Sequence, residues 1–198
     1  MADLAIDPDG RYTYSDYLSW PEEFRCELID GRIYDMSAAP RRIHQEIARE
    51  LVEIFLSYFK GKRCKLFFAP FDVTLPAFGD KESESDTVVQ PDLSVFCDLS
   101  RLTDAGATGA PDLAVEVMSP RTAYKDLDQK RLLYERHRVR EYWVVNPAND
   151  TAMVYVLGDD GKFRRPELAC RGESVRSAIF PGLEASIDGI MPVDHETT

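Results

Sequence analysis

Leu113-Ala114-Val115-Glu116-Val117-Met118 is the stretch of sequence that decides the fold. All but one of these residues are apolar, and such a run predicts a strand that is covered on both faces of a sheet. Side chains alternate along a strand, so Glu116 shares its face with the small side chain of Ala114. A buried carboxylate is costly unless it is paired or bound to a metal. The stretch therefore predicts a central strand that carries a functional acid.

Two further charged residues complete a candidate triad. Asp92 lies in a strand predicted from Val88 to Cys97, directly after Pro91. Lys130 lies on an amphipathic helix predicted from about Ala123 to Arg138, and at 100° per residue it falls at the centre of the arc that faces the sheet. Two acids that share a divalent cation, with a lysine nearby, suit metal-assisted phosphodiester hydrolysis. The alternatives are a salt bridge between the buried glutamate and an arginine, and a lysine that snorkels to solvent.

The length and composition predict one globular domain. The chain has 198 residues, of which 44% are hydrophobic and 30% are charged. We expect a loose leader over residues 1–12, a single domain over 13–190 and a tail over 191–198. The N-terminus lacks the pattern of a signal peptide and no apolar run is long enough to span a membrane, which predicts a cytoplasmic protein without a membrane partner.

The remaining patterns predict a mixed α/β domain around a central sheet. The order of elements is helix, hairpin, helix, strands, helix and strands. The predicted elements are a helix over Tyr14–Trp20, a hairpin over Glu27–Tyr34 with an Asp30-Gly31 turn, a helix over Arg42–Lys60, strands over Cys64–Phe68, Phe71–Leu75 and Glu141–Asn146, and a hairpin formed by Met153–Leu157 and Lys162–Leu168.

The charge distribution and the cysteines limit which ligands and which covalent cross-links the chain is expected to have. The formal net charge is −11, which is unusual for a protein that binds nucleic acid. Residues 41–65 nevertheless carry seven Lys/Arg against three Glu, whereas 72–98 carry seven acids and one lysine. A basic face can therefore coexist with an acidic site that attracts metal ions. The four cysteines are widely spaced and form no Cys-x-x-Cys pair, so we expect all of them to be reduced.

Several ordered motifs resemble those of the Uma-two family of restriction-endonuclease-like proteins, within the PD-(D/E)xK nuclease superfamily. The matching stretches span about residues 14–165. They are Glu27-Leu28-Ile29-Asp30-Gly31, Ala69-Pro70-Phe71-Asp72-Val73, Val89-Gln90-Pro91-Asp92-Leu93-Ser94-Val95, Ala110-Pro111-Asp112-Leu113-Ala114-Val115-Glu116-Val117-Met118-Ser119-Pro120 and Arg140-Glu141-Tyr142-Trp143-Val144-Val145.

The resemblance implies a restriction-endonuclease-like fold, with a central mixed β-sheet flanked by helices and with Asp92 and Glu116 as metal ligands. One departure is that the superfamily's usual lysine, two residues after the acid, is replaced here by Met118. In the Uma-two family the lysine has moved to the following helix, which matches Lys130. Catalytic roles are therefore expected for the two acids and for Lys130.

The resemblance also implies roles for residues outside the triad. Glu27 is similar to an N-terminal acid that several such nucleases add to the metal site, although it could equally belong to a charge pair in the hairpin. His44 follows Arg41 and Arg42, and these three residues are expected to contact nucleic acid; the alternative for the histidine is a packing role. Asp112 also follows a proline and is an alternative to Asp92.

The expected function is that of a Mg²⁺- or Mn²⁺-dependent DNA endonuclease that acts as a homodimer. Phenylalanine-rich edges, namely Phe67-Phe68 and Phe71, are candidates for the dimer interface. Two alternatives remain open. The first is a non-catalytic or regulatory partner-binding module that keeps the nuclease fold, and the second is a metal phosphodiesterase that acts on RNA or nucleotides.

Overall fold

The structure is a computed structural model that describes residues 7, 9–21, 23–36, 39–119 and 125–192. Its helices are α1 (Tyr14–Tyr17), α2 (Arg42–Phe59), α3 (Lys130–Arg136) and α4 (Ile187–Ile190). Its strands are β1 (Cys26–Ile29), β2 (Arg32–Asp35), β3 (Lys65–Phe68), β4 (Asp72–Thr74), β5 (Val88–Val89), β6 (Leu93–Phe96), β7 (Leu102–Thr103), β8 (Gly106–Thr108), β9 (Leu113–Val117), β10 (Glu141–Asn146), β11 (Thr151–Val156), β12 (Glu167–Cys170), β13 (Ser174–Arg176) and β14 (Glu184–Ser186).

The chain divides into two compact units. The first unit is drawn from residues 1–39, 70–90 and 100–110, and the second from residues 40–69, 91–99 and 111–198. Each unit contains one six-stranded sheet, with the order β2-β1-β5-β4-β8-β7 in the first and β12-β11-β10-β9-β6-β3 in the second. The single domain expected over 13–190 stays a prediction.

The first unit is organised around the expected hairpin. Strands β1 and β2 pair with Ile29 opposite Arg32, which confirms the two-residue turn. Asp30 and Gly31 have φ values of 50° and 73°, the left-handed geometry that this class of turn requires. Aromatic side chains from the α1 region pack against the buried Leu28 of the hairpin. The turn geometry and this packing both support the predicted hairpin.

The second unit has a mixed sheet with helices on its two faces. Strands β9 and β10 run parallel, whereas β6 pairs with β9 and β11 pairs with β10 in antiparallel fashion. One face carries apolar side chains such as Val115 and Trp143, which pack against Ile47, Leu51 and Phe55 of α2. Helix α3 contacts the opposite face, where Tyr134 lies 4.9 Å from Tyr142 between ring centroids. This arrangement confirms the mixed sheet and the flanking helices.

Helix α2 has nearly the predicted bounds, and α3 is shorter than predicted. The buried residues of α2 recur every four residues, which fixes its inner face. Before α3, residues Lys125–Gln129 form a π-helical turn, and a regular α-helix begins only at Lys130. The predicted start at Ala123 lies outside the described residues.

One predicted strand assignment is corrected by the position of a proline. The strand expected over Val88–Cys97 is divided at Pro91 into β5 and β6, which belong to different sheets. Proline cannot donate to a ladder of backbone hydrogen bonds, so the chain leaves one sheet there and enters the other. The two strands predicted on either side of Pro70 are separate, as expected, and β3 and β4 join different sheets.

The late hairpin is also shifted from its predicted position. Strand β11 pairs with β12, which begins at Glu167, so most of the segment expected over Lys162–Leu168 is a loop. A single bridge between Leu157 and Phe163 holds the base of the turn.

The prediction that all cysteines are reduced is wrong for two of them. Cys64 and Cys97 form a disulfide with a Cα–Cα distance of 4.0 Å. The register pairs Lys65 with Phe96, so the two cysteines lie opposite each other one position further along the ladder. Their separation of 33 residues conceals this proximity in the sequence. Cys26 is free and buried, and Cys170 is free and exposed.

Among the residues that the structure describes, no helix combines the length and the apolar character that crossing a membrane requires.

Candidate active site

Asp92, which directly precedes β6, and Glu116 of β9 lie on neighbouring segments of the second unit. Strands β6 and β9 pair with Leu93 opposite Val115, and the next position in this register places Asp92 opposite Glu116. Asp92 Oδ2 accepts a hydrogen bond of 2.7 Å from the backbone N–H of Val117, which ties the aspartate to the end of β9. The sheet therefore brings together two acids that are 24 residues apart in the chain.

Lys130 completes the group from α3. Its Nζ lies 2.6 Å from Glu116 Oε1, and the two residues are only 2% and 5% exposed. Unpaired, either charge would be costly at this depth, so the pairing accounts for both. The lysine is held within the protein and does not snorkel to solvent, and the partner of the glutamate is this lysine.

Tyr134 also contacts the glutamate, and the sequence interpretation missed this. Its hydroxyl donates a hydrogen bond of 2.9 Å to Glu116 Oε1, and the residue is fully buried. The signal available in the sequence was helical phase, because Tyr134 follows Lys130 by four residues and falls on the same arc of the helix. An aromatic residue on such an arc ordinarily indicates packing, which is why the role of its hydroxyl was not evident.

His44 lies at the other acid. Its Nε2 is 3.1 Å from Asp92 Oδ2, and its side chain is 13% exposed. Asp92 Oδ2 is thus contacted by both the histidine and the backbone N–H of Val117, whereas Oδ1 accepts no hydrogen bond within the described part of the chain. The contact assigns His44 to the environment of Asp92, and its predicted contact with nucleic acid stays a prediction.

Arg41 and Arg42 stand at the start of α2, just before His44. Both are exposed, and Arg42 forms an i,i+4 ion pair with Glu46. Their side chains are available to solvent close in sequence to the site, as a phosphate contact would require.

Glu27 and Asp112 have identifiable hydrogen bonds of their own. Glu27 is fully buried in β1 of the first unit, where its Oε1 accepts a hydrogen bond of 2.9 Å from the backbone N–H of Gln90. Its predicted role as a metal ligand stays a prediction. Asp112 accepts hydrogen bonds from the Cys97 backbone N–H and from Arg140, at 2.8 and 2.9 Å. Both of its oxygens are engaged in structure, which favours Asp92 as the functional acid.

The donor set at the two acids suits a hard divalent cation. Mg²⁺ prefers oxygen ligands and keeps several of its waters, so two carboxylates are a sufficient protein contribution. Within the described ranges, no group of three or more His, Cys, Asp or Glu side chains is arranged to hold an ion. A softer metal, which would favour histidine and cysteine ligands, fits these residues less well.

Comparisons with known proteins agree with this architecture. An uncharacterised protein of Synechocystis sp. (strain PCC 6803), slr1290, is 27% identical over 157 residues, which cover 78% of this chain and 78% of the relative. The crystal structure of a protein described as a putative nuclease, from Anabaena variabilis, superimposes with a TM-score of 0.71 at 24% identity. The match covers 90% of this chain and 97% of that one. This likeness confirms the α/β, restriction-endonuclease-like fold.

The family model named Uma2, described as "Putative restriction endonuclease", matches residues 14–188. The match includes both acids, Lys130, His44 and Tyr134, and its description supports a nuclease-type hydrolase. Since it extends over most of the chain, this protein belongs to the Uma2 (Uma-two) family.

Proposed function

We propose that this protein is an endonuclease that hydrolyses phosphodiester bonds in DNA and depends on Mg²⁺ or Mn²⁺. The observation that carries the proposal is the placement of Asp92 opposite Glu116 on paired strands, with the buried Lys130 in contact with the glutamate. The family description supports the same class of activity.

Each member of the group has a distinct role in the proposed reaction. Asp92 and Glu116 would hold the cation through carboxylate oxygens. When bound, a divalent cation polarises a phosphoryl oxygen and lowers the pKa of a bound water. Lys130 would orient the attacking water or stabilise the negative charge that develops on the phosphoryl group. The sheet and α3 hold these side chains in place before the substrate arrives.

Recognition of the DNA backbone would fall to residues at the start of α2. Arg41 and Arg42 are exposed cations that suit phosphate, and His44, two residues after Arg42, contacts Asp92. Such contacts neutralise phosphates without reading the base sequence.

We further propose that the enzyme acts as a homodimer in the cytoplasm. Strand β3 is at the edge of the sheet in the second unit, and Phe68 on that strand is 53% exposed. An apolar edge strand with unpaired backbone groups favours pairing with a second chain. Sedimentation equilibrium of the wild type and of Phe68→Lys measures the oligomeric state of each protein. A wild-type monomer at micromolar concentration would contradict the dimer.

The test of the proposed function combines metal binding with cleavage. Wild-type protein is titrated with Mn²⁺ by calorimetry and incubated with supercoiled plasmid, together with Asp92→Asn and Glu116→Gln. Both variants are expected to lose Mn²⁺ binding and plasmid cleavage. Glu53→Gln, on the exposed side of α2, is the matched control and is expected to retain both. Cleavage that survives in Glu116→Gln would contradict the proposal.

A second candidate is a partner-binding module that has kept the nuclease fold but does not cut. The net charge of −11 favours it, because an acidic protein is repelled by phosphate. A wild type that binds no Mn²⁺ through its carboxylates would support this module. Wild-type protein that cleaves RNA or a cyclic nucleotide but not plasmid would instead support a phosphodiesterase.

A further inference from the structure

The hydroxyl of Tyr134 is buried, so it needs a hydrogen-bond partner within the protein. The residue has no exposed surface, and a buried tyrosine hydroxyl usually needs a partner. Its partner is Glu116 Oε1 at 2.9 Å, the same oxygen that Lys130 Nζ contacts at 2.6 Å. Two donors therefore converge on one oxygen of the proposed metal ligand.

The convergence follows from the spacing along α3. Residues four apart in an α-helix project from the same side, one turn apart. Lys130 and Tyr134 have this spacing, so a single rigid helix presents both donors to the strand that carries Glu116. The orientation of the carboxylate thus depends on α3.

Packing explains the ring of Tyr134 but not its hydroxyl. The ring contacts that of Tyr142 in an edge-to-face arrangement, at 4.9 Å between centroids. Phenylalanine would make the same contact without bringing a polar group into a buried position. The hydrogen bond to Glu116 gives the hydroxyl a specific purpose.

The two donors also differ in charge, and this difference matters at a metal site. The ammonium of Lys130 competes with a metal ion for the negative charge of Glu116, because two cations near one carboxylate repel each other. A neutral hydroxyl orients the carboxylate without that repulsion. Tyr134 is therefore suited to hold the ligand in place both before and after a cation binds.

We propose that Tyr134 is a positioning residue of the metal site, which orients Glu116 toward the cation through its hydroxyl. The inference rests on the proposed function, because it presumes that Glu116 is a metal ligand. Outer hydrogen-bond partners of metal ligands commonly set ligand orientation and metal affinity.

The test compares Tyr134→Phe with Tyr155→Phe. The control removes a phenol hydroxyl from the same sheet, and that hydroxyl contacts only the sulfur of Met153, at 3.8 Å, among the described residues. Calorimetry with Mn²⁺ should show a Kd about tenfold higher in Tyr134→Phe, and an unchanged Kd in Tyr155→Phe. Thermal unfolding verifies that each variant is folded, since a merely structural role would lower stability without changing metal affinity.

A second measurement does not depend on the stability of Tyr134→Phe. The protein is prepared with 3-fluorotyrosine at position 134, and its ¹⁹F resonance is followed during titration with Mg²⁺. The resonance should shift in the otherwise wild-type protein and should not shift when Glu116→Gln is added. Metal binding that depends on Glu116, together with an unchanged Kd in Tyr134→Phe or an unshifted ¹⁹F resonance, would overturn the role of Tyr134 alone. Absence of Glu116-dependent Mn²⁺ binding in the wild type would overturn the proposed function and this inference together.

Discussion

Two buried glutamates on neighbouring strands of one sheet have different kinds of hydrogen-bond partner. Glu116 on β9 is contacted by the side chains of Lys130 and Tyr134, both from α3. Glu141 on β10 is fully buried on the opposite face, and it accepts hydrogen bonds from the Trp143 indole and from the backbone N–H groups at positions 178 and 179. The first has a cationic and a neutral side-chain donor, whereas the second has neutral donors.

We propose that the difference separates a functional acid, Glu116, from a structural one, Glu141. Burial raises the pKa of Glu141, and its indole, Ser177 and backbone donors oppose that rise. Its donors belong to the strand itself and to a distant loop, so it ties the loop after β13 to the sheet. Glu116 instead lies opposite Asp92 in the sheet register and has the Lys130 ammonium beside it. We therefore expect substitutions at the two glutamates to affect different properties.

The largest effect is expected for Glu116→Gln. Loss of a metal-ligating carboxylate should lower the rate of plasmid cleavage by about 10³-fold or more, equivalent to about 4 kcal/mol in the activation free energy. Glutamine can still accept a hydrogen bond from Lys130 but leaves the buried ammonium without its counter-charge, so the free energy of unfolding should also fall, by about 3 kcal/mol. Plasmid cleavage at the wild-type rate by folded Glu116→Gln would place Glu116 with Glu141 as a structural acid.

Glu141→Ala should have the opposite signature. The substitution leaves the Trp143 indole and two backbone N–H groups without an acceptor, which should lower the free energy of unfolding by roughly 3 kcal/mol. Urea denaturation measures the change, and Glu167→Ala on exposed β12 is the control. The folded fraction should bind Mn²⁺ with wild-type affinity. Weaker metal binding by folded Glu141→Ala would break the distinction between the two glutamates.

Lys130→Met tests what the ammonium beside Glu116 contributes to cleavage and to metal binding. Methionine keeps most of the apolar length but removes the ammonium, so cleavage should fall by about 10²-fold, equivalent to about 2.7 kcal/mol. The affinity for Mn²⁺ should not weaken, because the competing cation at Glu116 is gone. Calorimetry and single-turnover cleavage separate the two effects. A large loss of Mn²⁺ affinity would show that the lysine supports metal binding directly.

Arg42→Ala should give the smallest effect of the four substitutions, because the Arg42 side chain is 82% exposed. Its proposed role is contact with phosphate, which involves neither of the two glutamates. We expect Kd for DNA to rise by about threefold and the slope of log K against log salt concentration to fall by about one. Fluorescence anisotropy at several salt concentrations measures both, and Arg136→Ala on α3 serves as a charge-matched control. An unchanged salt slope would exclude Arg42 from phosphate contact.

Much of the fold was predictable because local patterns carry it. The hairpin followed from Asp30-Gly31, and α2 followed from apolar residues at helical spacing. The division of the strands between two sheets was not predictable in the same way. A proline shows where a strand is interrupted, but which sheet receives the chain on each side of Pro91 depends on all the other strands.

The disulfide and the partners of Glu141 illustrate the same limit. Cys64 meets Cys97 because β3 and β6 pair in one particular register, and Glu141 meets the loop at Ala178 from 37 residues away. Neither contact leaves a periodic trace in the sequence, since each depends on the alignment of segments that are far apart in the chain.

The sequence by itself determined that Glu116 and Lys130 belong to buried faces. Strand alternation at Glu116 and helical phase at Lys130 needed only the geometry of one element each. The tertiary structure alone decided the neighbours of the site residues. Asp92 lies opposite Glu116 in the sheet register, His44 contacts Asp92, and the Tyr134 hydroxyl contacts the same Glu116 oxygen as Lys130. The physical reason is that periodicity reports the side of an element on which a residue lies, whereas a hydrogen bond requires two elements to be in register within a few tenths of an ångström.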